Sequence, residues 1–322
     1  MAVCLRLLRV VAAVTVLALL LPPPAAGQGR TPWGDPDLQG VWANDVVTPL
    51  ERPSELGERL ELTDEELAEA AAANERRRLD DGGPRPGDPI LLQGYNQFWM
   101  PARDVSRQTS LVVDPPDGRV PLLTAAGVQR EALALESSQG VPAKVAELRR
   151  HNDGPEGRSL WERCLTRGVP RMPDFYNNGT LVLQTPDHVV IHMEMIHETR
   201  VIPLDRRPHI GAGIRQWHGD PRGRWEGETL VVETTNFSTK TNFKGSQDGL
   251  HLVERFSRAD GDTLLYEVTV TDPDTWTRPW TVRFPIRKSD GPLFEYACHE
   301  GNYAMFNTLA GARAAEEAKG DR

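Results

Sequence analysis

Residues 263–286 read TLLYEVTVTDPDTWTRPWTVRFPI, and their alternation decides the fold class. Leu264, Tyr266, Val268 and Val270 fall on one side, with Glu267, Thr269 and Thr271 opposite. Asp272-Pro273-Asp274 then turns the chain into Trp276, Arg278, Trp280, Val282, Phe284 and Ile286, again at every second position. A period of two is the signature of β-strands with one apolar face, and an Asp/Pro turn between two such runs makes a hairpin. Working outward, residues 227–237 place Leu230, Val232 and Thr234 on one face, with Glu233 and Thr235 on the other. Leu250 to Arg258 is a further alternating run, and Asp260-Gly261-Asp262 links it to the first. Ser289-Asp290-Gly291 marks one more turn, after which Leu293 to Cys298 is expected to form a strand. Strands spaced by turns about every 10 residues form an antiparallel meander, and a long meander removes its edges by closing into a barrel. The expectation is a mainly β chain whose barrel interior carries Leu264, Tyr266, Val268, Trp280, Val282 and Phe284.

The first half reads differently. Thr63-Asp64-Glu65-Glu66 has the form of a capping box ahead of an Ala- and Glu-rich run from Leu67 to Arg78, which predicts one exposed helix. Residues 80–89, DDGGPRPGDP, read as a loop. Residues 108–121 read as a strand and a tight turn, and 125–150 as a second helical region broken near Gly140-Val141-Pro142. These helices are expected outside the barrel. The organisation is then 28–160 for N-terminal strands, helices and loops, 161–313 for the barrel portion, and 314–322 for a polar tail, with 28–313 forming one domain.

Two stretches carry a resemblance. DLQGVW, residues 37–42, resembles the Gly-x-Trp opening strand of lipocalin-like barrels. GDPRGRWEGETLVVETTNF (219–237), HLVERFSRADGDTLLYEVTV (251–270) and EYACHEGNY (295–303) are similar to secreted bacterial proteins of unknown function, a likeness that runs from about Thr31 to Arg313. The resemblance implies a calycin-type barrel and export, and it implies no reaction.

Export is also expected from the N-terminus. Arg6 and Arg9 precede the apolar run Val10–Leu21, followed by three prolines and Ala25-Ala26-Gly27. A basic start, a short apolar core and a small-residue end predict a signal peptide over residues 1–27, cleaved near Gln28. The run is shorter than the ~20 residues that span a bilayer, so no membrane span is expected after cleavage, and the location is periplasmic or secreted. Cys4 leaves with that segment. Cys164 and Cys298 remain, either as a disulfide across about 130 residues or as two thiols. The net charge of −9 argues against nucleic acid as a partner, because phosphate contacts need clustered cations.

Three segments concentrate chemistry. HVVIHMEMIHE, residues 188–198, holds His192, Glu194 and His197. On a strand, His192 and Glu194 share one face while Met193, Met195 and His197 share the other, so all three converge only across a bulge. Glu194, flanked by apolar residues, must face water, sit in a cavity or pair with a cation such as Arg200 or Arg255. EYACHEGNY offers His299, Glu300 and Tyr303 beside Cys298. Glu194, His197, His299, Glu300 and Tyr303 are therefore the expected acid–base set, with Glu194 and His299 meeting at its centre. QWHGDPRGRWE, residues 216–226, and Tyr176-Asn177-Asn178 supply aromatic and amide groups, so Tyr176, Asn177, Trp217, Asp220 and Trp276 are the expected ligand contacts. Trp276 and Trp280 also fit simple core packing. No cofactor is implied. A divalent metal on His192, Glu194, His197 or His299 is an alternative without diagnostic spacing. Asn178-Gly179-Thr180 and Asn236-Phe237-Ser238 are glycosylation sequons.

These features predict a barrel with a cavity for a small, largely apolar or aromatic molecule. It is read as an acid–base lyase, isomerase or hydrolase, or as a carrier of the same ligand without turnover.

Overall fold

The two runs of 263–286 pair as antiparallel strands, with Val268 opposite Val282 and Tyr266 opposite Phe284. The computed structural model describes residues 29–79, 104–130, 153–174, 176–241 and 243–320. The expected signal peptide, the 80–89 loop and most of the second helical region lie outside the described residues. Two compact units are present, 1–37 and 38–322. In the first, a turn closes where Gly34 N–H donates to Thr31 O at 2.9 Å and Asp37 N–H to Gly29 O at 2.8 Å.

The second unit holds ten strands: β1 (Gly40–Ala43), β2 (Val112–Asp114), β3 (Gly179–Gln184), β4 (His188–Met193), β5 (Thr199–Pro203), β6 (Asp220–Glu226), β7 (Thr229–Thr235), β8 (His251–Arg258), β9 (Thr263–Thr271) and β10 (Trp280–Lys288). Their order is β5-β4-β3-β1-β10-β9-β8-β7-β6, every pairing is antiparallel, and β2 adds to β10. The result is a nearly closed barrel. All six residues assigned to its interior are buried, and they join one core with Trp42, Ile191, Ile202, Leu252 and Trp276.

The last gap lies between β5 and β6, which share no backbone ladder among the described residues. Side chains close it. A Cβ on Gly223 of β6 would stand 2.8 Å from Ile202 Cγ2 and 2.7 Å from Leu204 Cδ2, so glycine lets the two edges approach without moving those side chains. Inside, Arg200 of β5 reaches past the gap to Glu254 of β8, with Nη1 2.9 Å from Oε1. Its Nη2 donates to Glu254 Oε2 at 2.5 Å and to Thr234 Oγ1 of β7 at 3.3 Å. Tyr266 of β9 donates its hydroxyl to Glu254 Oε1 at 3.0 Å. Burial works against the Arg200 charge, yet Glu254 beside it holds the guanidinium protonated above its ordinary range. Burial and the same carboxylate push the Tyr266 phenol well up. The two arginines considered as alternative partners of Glu194 are paired elsewhere, Arg200 with Glu254 and Arg255 with Glu226 at 2.9 Å.

The capping box forms as expected. Glu66 N–H donates to Thr63 Oγ1 at 3.2 Å, and Thr63 N–H returns to Glu66 Oε2 at 2.9 Å, opening α1 (Asp64–Leu79). A hydrogen bond from Arg59, then one from the Thr63 backbone, holds the Glu66 carboxyl down at about 2.

Two expectations fail. Leu293 to Cys298 forms no strand, because β10 is already flanked by β9 on one side and by β1 and β2 on the other. Residues 314–320 are not a tail but the end of α2 (Tyr303–Gly320), where Ala304, Ala310, Ala312, Ala314, Ala315 and Ala318 favour helix over coil. Among the described residues no helix is long and apolar enough to cross a membrane.

Candidate functional site

Strand register brings the chemistry-bearing connections to one end of the barrel. Ala43 lies opposite Gly179, His192 opposite Thr199, Asp220 opposite Thr235, and Trp280 opposite Val270. The 194–198 link, the 236–250 loop and the 272–279 turn therefore leave the sheet on the same side.

At one corner of this end, β4 stops at Met193 and a 3₁₀ turn, Met195–His197, follows. The turn removes Glu194 from the face of His192 and buries it, along with Met195 and Ile196. Asn177 Nδ2 donates to Glu194 Oε1 at 2.5 Å. A Cβ at Gly179 would meet the ends of the Glu194 and Leu293 side chains, so glycine leaves room for this carboxylate. His197 and His299 come together, their ring centroids 6.5 Å apart, and His197 Nδ1 lies 3.3 Å from Tyr296 O. Cys164 and Cys298 stand at disulfide distance, with Cα atoms 5.8 Å apart. A bond closing so long a loop contributes about 2–4 kcal/mol. Asn302 Nδ2 adds a hydrogen bond to Glu162 O at 2.9 Å, so the His299 segment is tied to the 162–164 turn.

Sequence reading missed the second layer of this corner. Glu198 is buried and accepts from the Arg167 backbone N–H, and His218 Nε2 stands 3.2 Å from its Oε2 and 2.7 Å from Thr166 Oγ1. The Arg167 guanidinium lies 4.2 Å over the Trp161 ring and pairs with Asp174 at 2.6 Å. Arg171 is near; burial lowers its hold on the proton, and the Asp174 and Glu198 charges oppose that. Both arginines come from a segment without periodicity, so nothing in the chain order signals them. Cys164, Asn177, Ile196 and His197 all have positive φ. Side chains rarely adopt that region, and such strain gathers at functional sites.

The expected set does not converge as a whole. His299, Glu300 and Tyr303 are exposed, and no hydrogen bond joins Glu194 to His299 among the described residues. Tyr176 and Trp217 are half-buried. Asp220 is buried and already committed, accepting from His209 Nδ1 at 2.9 Å, Ile210 N–H at 3.0 Å and Arg222 Nη1 at 2.7 Å. Both sequon asparagines act as clamps. Asn178 Nδ2 donates to Asp45 Oδ1 and Asp174 O, and Asn236 Nδ2 to three backbone carbonyls at 3.1 Å.

A second feature of this end is a cleft of about 620 Å³ whose lining includes Leu50, Val120, Leu122, Val128 and Trp276, with Glu51 and Lys244 as charged members. Buried Asp272 ties the loop of Lys244 to the turn of Trp276 by accepting from Ser246 Oγ and Thr275 Oγ1, each at 2.6 Å. Arg130 donates to Gly245 O at 2.8 Å and Thr275 Oγ1 at 2.7 Å, the residues next to Lys244 and Trp276. Trp276 packs edge-on against Trp280, with centroids 5.5 Å apart.

No protein-family model and no curated protein sequence matches the chain. Among solved structures, an asparagine-to-alanine mutant of the fluorescent protein UnaG is similar at 18% identity, over 35% of this chain and 72% of that one, with a TM-score of 0.23. A likeness of that size carries no argument about function. Among the described residues, no group of three or more His, Cys, Asp and Glu could hold a metal ion.

Proposed function

We propose that this chain is an exported barrel protein that binds a small, largely apolar or aromatic molecule in the cleft over Trp276. The cleft itself carries the reading. Its volume of about 620 Å³ matches a drug-sized ligand, its walls are mostly apolar, and its charged groups are few. Leu122 and Val128 line it while exposed, so apolar side chains are open to a ligand there. Export is supported by the signal-like first 27 residues and by two cysteines at bonding distance, since disulfides persist outside the reducing cytosol. Titration of the full-length protein with the neutral fluorophore phenylnaphthylamine is expected to saturate at one site. Leu122→Asp, at a position 81% exposed, should leave the fold intact and weaken binding at least about tenfold, because the ligand would desolvate a carboxylate. Unchanged affinity removes the cleft as the site.

Acid–base turnover is a second reading, favoured by the approach of His197 to His299 beside a buried carboxylate. Under it, His299→Asn lowers turnover by about 10²–10⁴ and spares ligand affinity. A carrier has no turnover to lose, so the two readings separate on one variant.

A further inference from the structure

Resting on the ligand-binding reading above, we infer that the ligand of the cleft is an organic anion: an apolar or aromatic body carrying a carboxylate or sulfonate that pairs with Lys244. Among the described residues that line the cleft, Lys244 is the one cation, and no ion pair occupies it. Lys244 is exposed and makes no ion pair or side-chain hydrogen bond among the described residues, whereas nearby Arg130 is held through Nε and Nη2 by Gly245, Asp274 and Thr275.

Lys244 is also held in place. Phe243 and Ser246 exchange backbone hydrogen bonds of 3.0 Å around it, and its φ of 51° fixes the turn. The Phe243 ring stacks on Trp280 with centroids 6.0 Å apart, anchoring the turn to the core. The side chain stem therefore leaves a fixed point on the rim.

Trp276 belongs to the apolar wall. It lines the cleft beside Leu50, Val120, Leu122 and Val128, and its indole nitrogen is enclosed rather than presented to a ligand. The acidic oxygens of the ligand therefore have Lys244 as their partner, while the aromatic body meets apolar side chains. Glu51, the other charged member, accepts Val120 N–H at 2.8 Å and stands beyond ion-pair distance of Lys244, so it opposes an anion without neutralising the lysine. With a net charge of −9 the chain as a whole repels anions, which makes specific uptake dependent on this local arrangement.

The test compares anilinonaphthalene sulfonate with neutral phenylnaphthylamine, two fluorophores of the same aromatic frame, on the full-length protein. Lys244→Gln should weaken sulfonate binding about tenfold, the scale of a lost charge-assisted contact, and leave the neutral compound unchanged. Glu51→Gln, whose amide oxygen can still accept from Val120, should strengthen sulfonate binding by about threefold. If Lys244→Gln leaves the sulfonate unaffected while Leu122→Asp weakens both compounds, the anion assignment is overturned and the cleft stands. Should Lys244→Gln weaken both compounds equally, the lysine acts through shape and the assignment also falls. If neither compound binds, or Leu122→Asp changes neither, the cleft reading fails and the anion assignment falls with it.

Discussion

Replacing Glu254 by alanine is expected to destabilise the barrel by about 3–5 kcal/mol, read as a lower urea midpoint at neutral pH. The reason is positional. Arg200 is 4% exposed and Glu254 1% exposed, so removing the carboxylate strands a buried guanidinium with only Thr234 Oγ1 at 3.3 Å. Tyr266 would lose its acceptor at the same time. Because this cluster spans the gap where β5 and β6 share no ladder, the loss also loosens the closure. Glu254→Gln keeps an acceptor for Tyr266 and the volume of the side chain, and should cost less. A Glu254→Ala protein that unfolds within about 1 kcal/mol of the parent would mean that the ion pair does not close the barrel.

Val268→Asp is expected to cost at least about 4 kcal/mol, because an unpaired charge would enter the core. Val268 is fully buried and faces Val282 on one side. On its other side it lies directly opposite Glu254, so the new carboxylate would meet an existing one across the strand pair. Like charges in that position repel, and the intruder would compete for Arg200. Val268→Asn, with a neutral side chain of similar size, should be milder. The penalty should also shrink as pH falls towards about 4, where an ordinary Asp takes up its proton and the buried charge disappears. A Val268→Asp protein that melts like the parent would show that this face of β9 looks outward.

Much of the barrel was legible in the chain. The alternation of Leu264, Tyr266, Val268 and Val270 is a local record of which side faces the core, since successive strand residues must point to opposite faces. The capping box at Thr63 and Glu66 was equally local, because both hydrogen bonds join residues three apart. The candidate site was legible only as an inventory. Residues 188–198 and 295–303 do come together through His197 and His299, and Cys164 does reach Cys298.

Which groups pair was decided by tertiary structure alone. Glu194 was expected to meet His299, with an arginine such as Arg200 or Arg255 as the alternative partner, yet it is held by Asn177, because β4 ends one residue before it and the turn carries it inward. Arg200 meets Glu254, 54 residues away, because a nearly closed barrel sets β5 across from β8. The cleft at Trp276 draws its walls from residues 50, 120–128, 244 and 276, four separate parts of the chain. Alternation and caps are short-range consequences of backbone geometry, so the sequence by itself determined the strands of 250–286, their inward faces and the helix start, though not the absence of a strand at 293–298. The pairing of charges and the shape of the cleft depend on how distant strands are ordered, and only the closed barrel supplies that information.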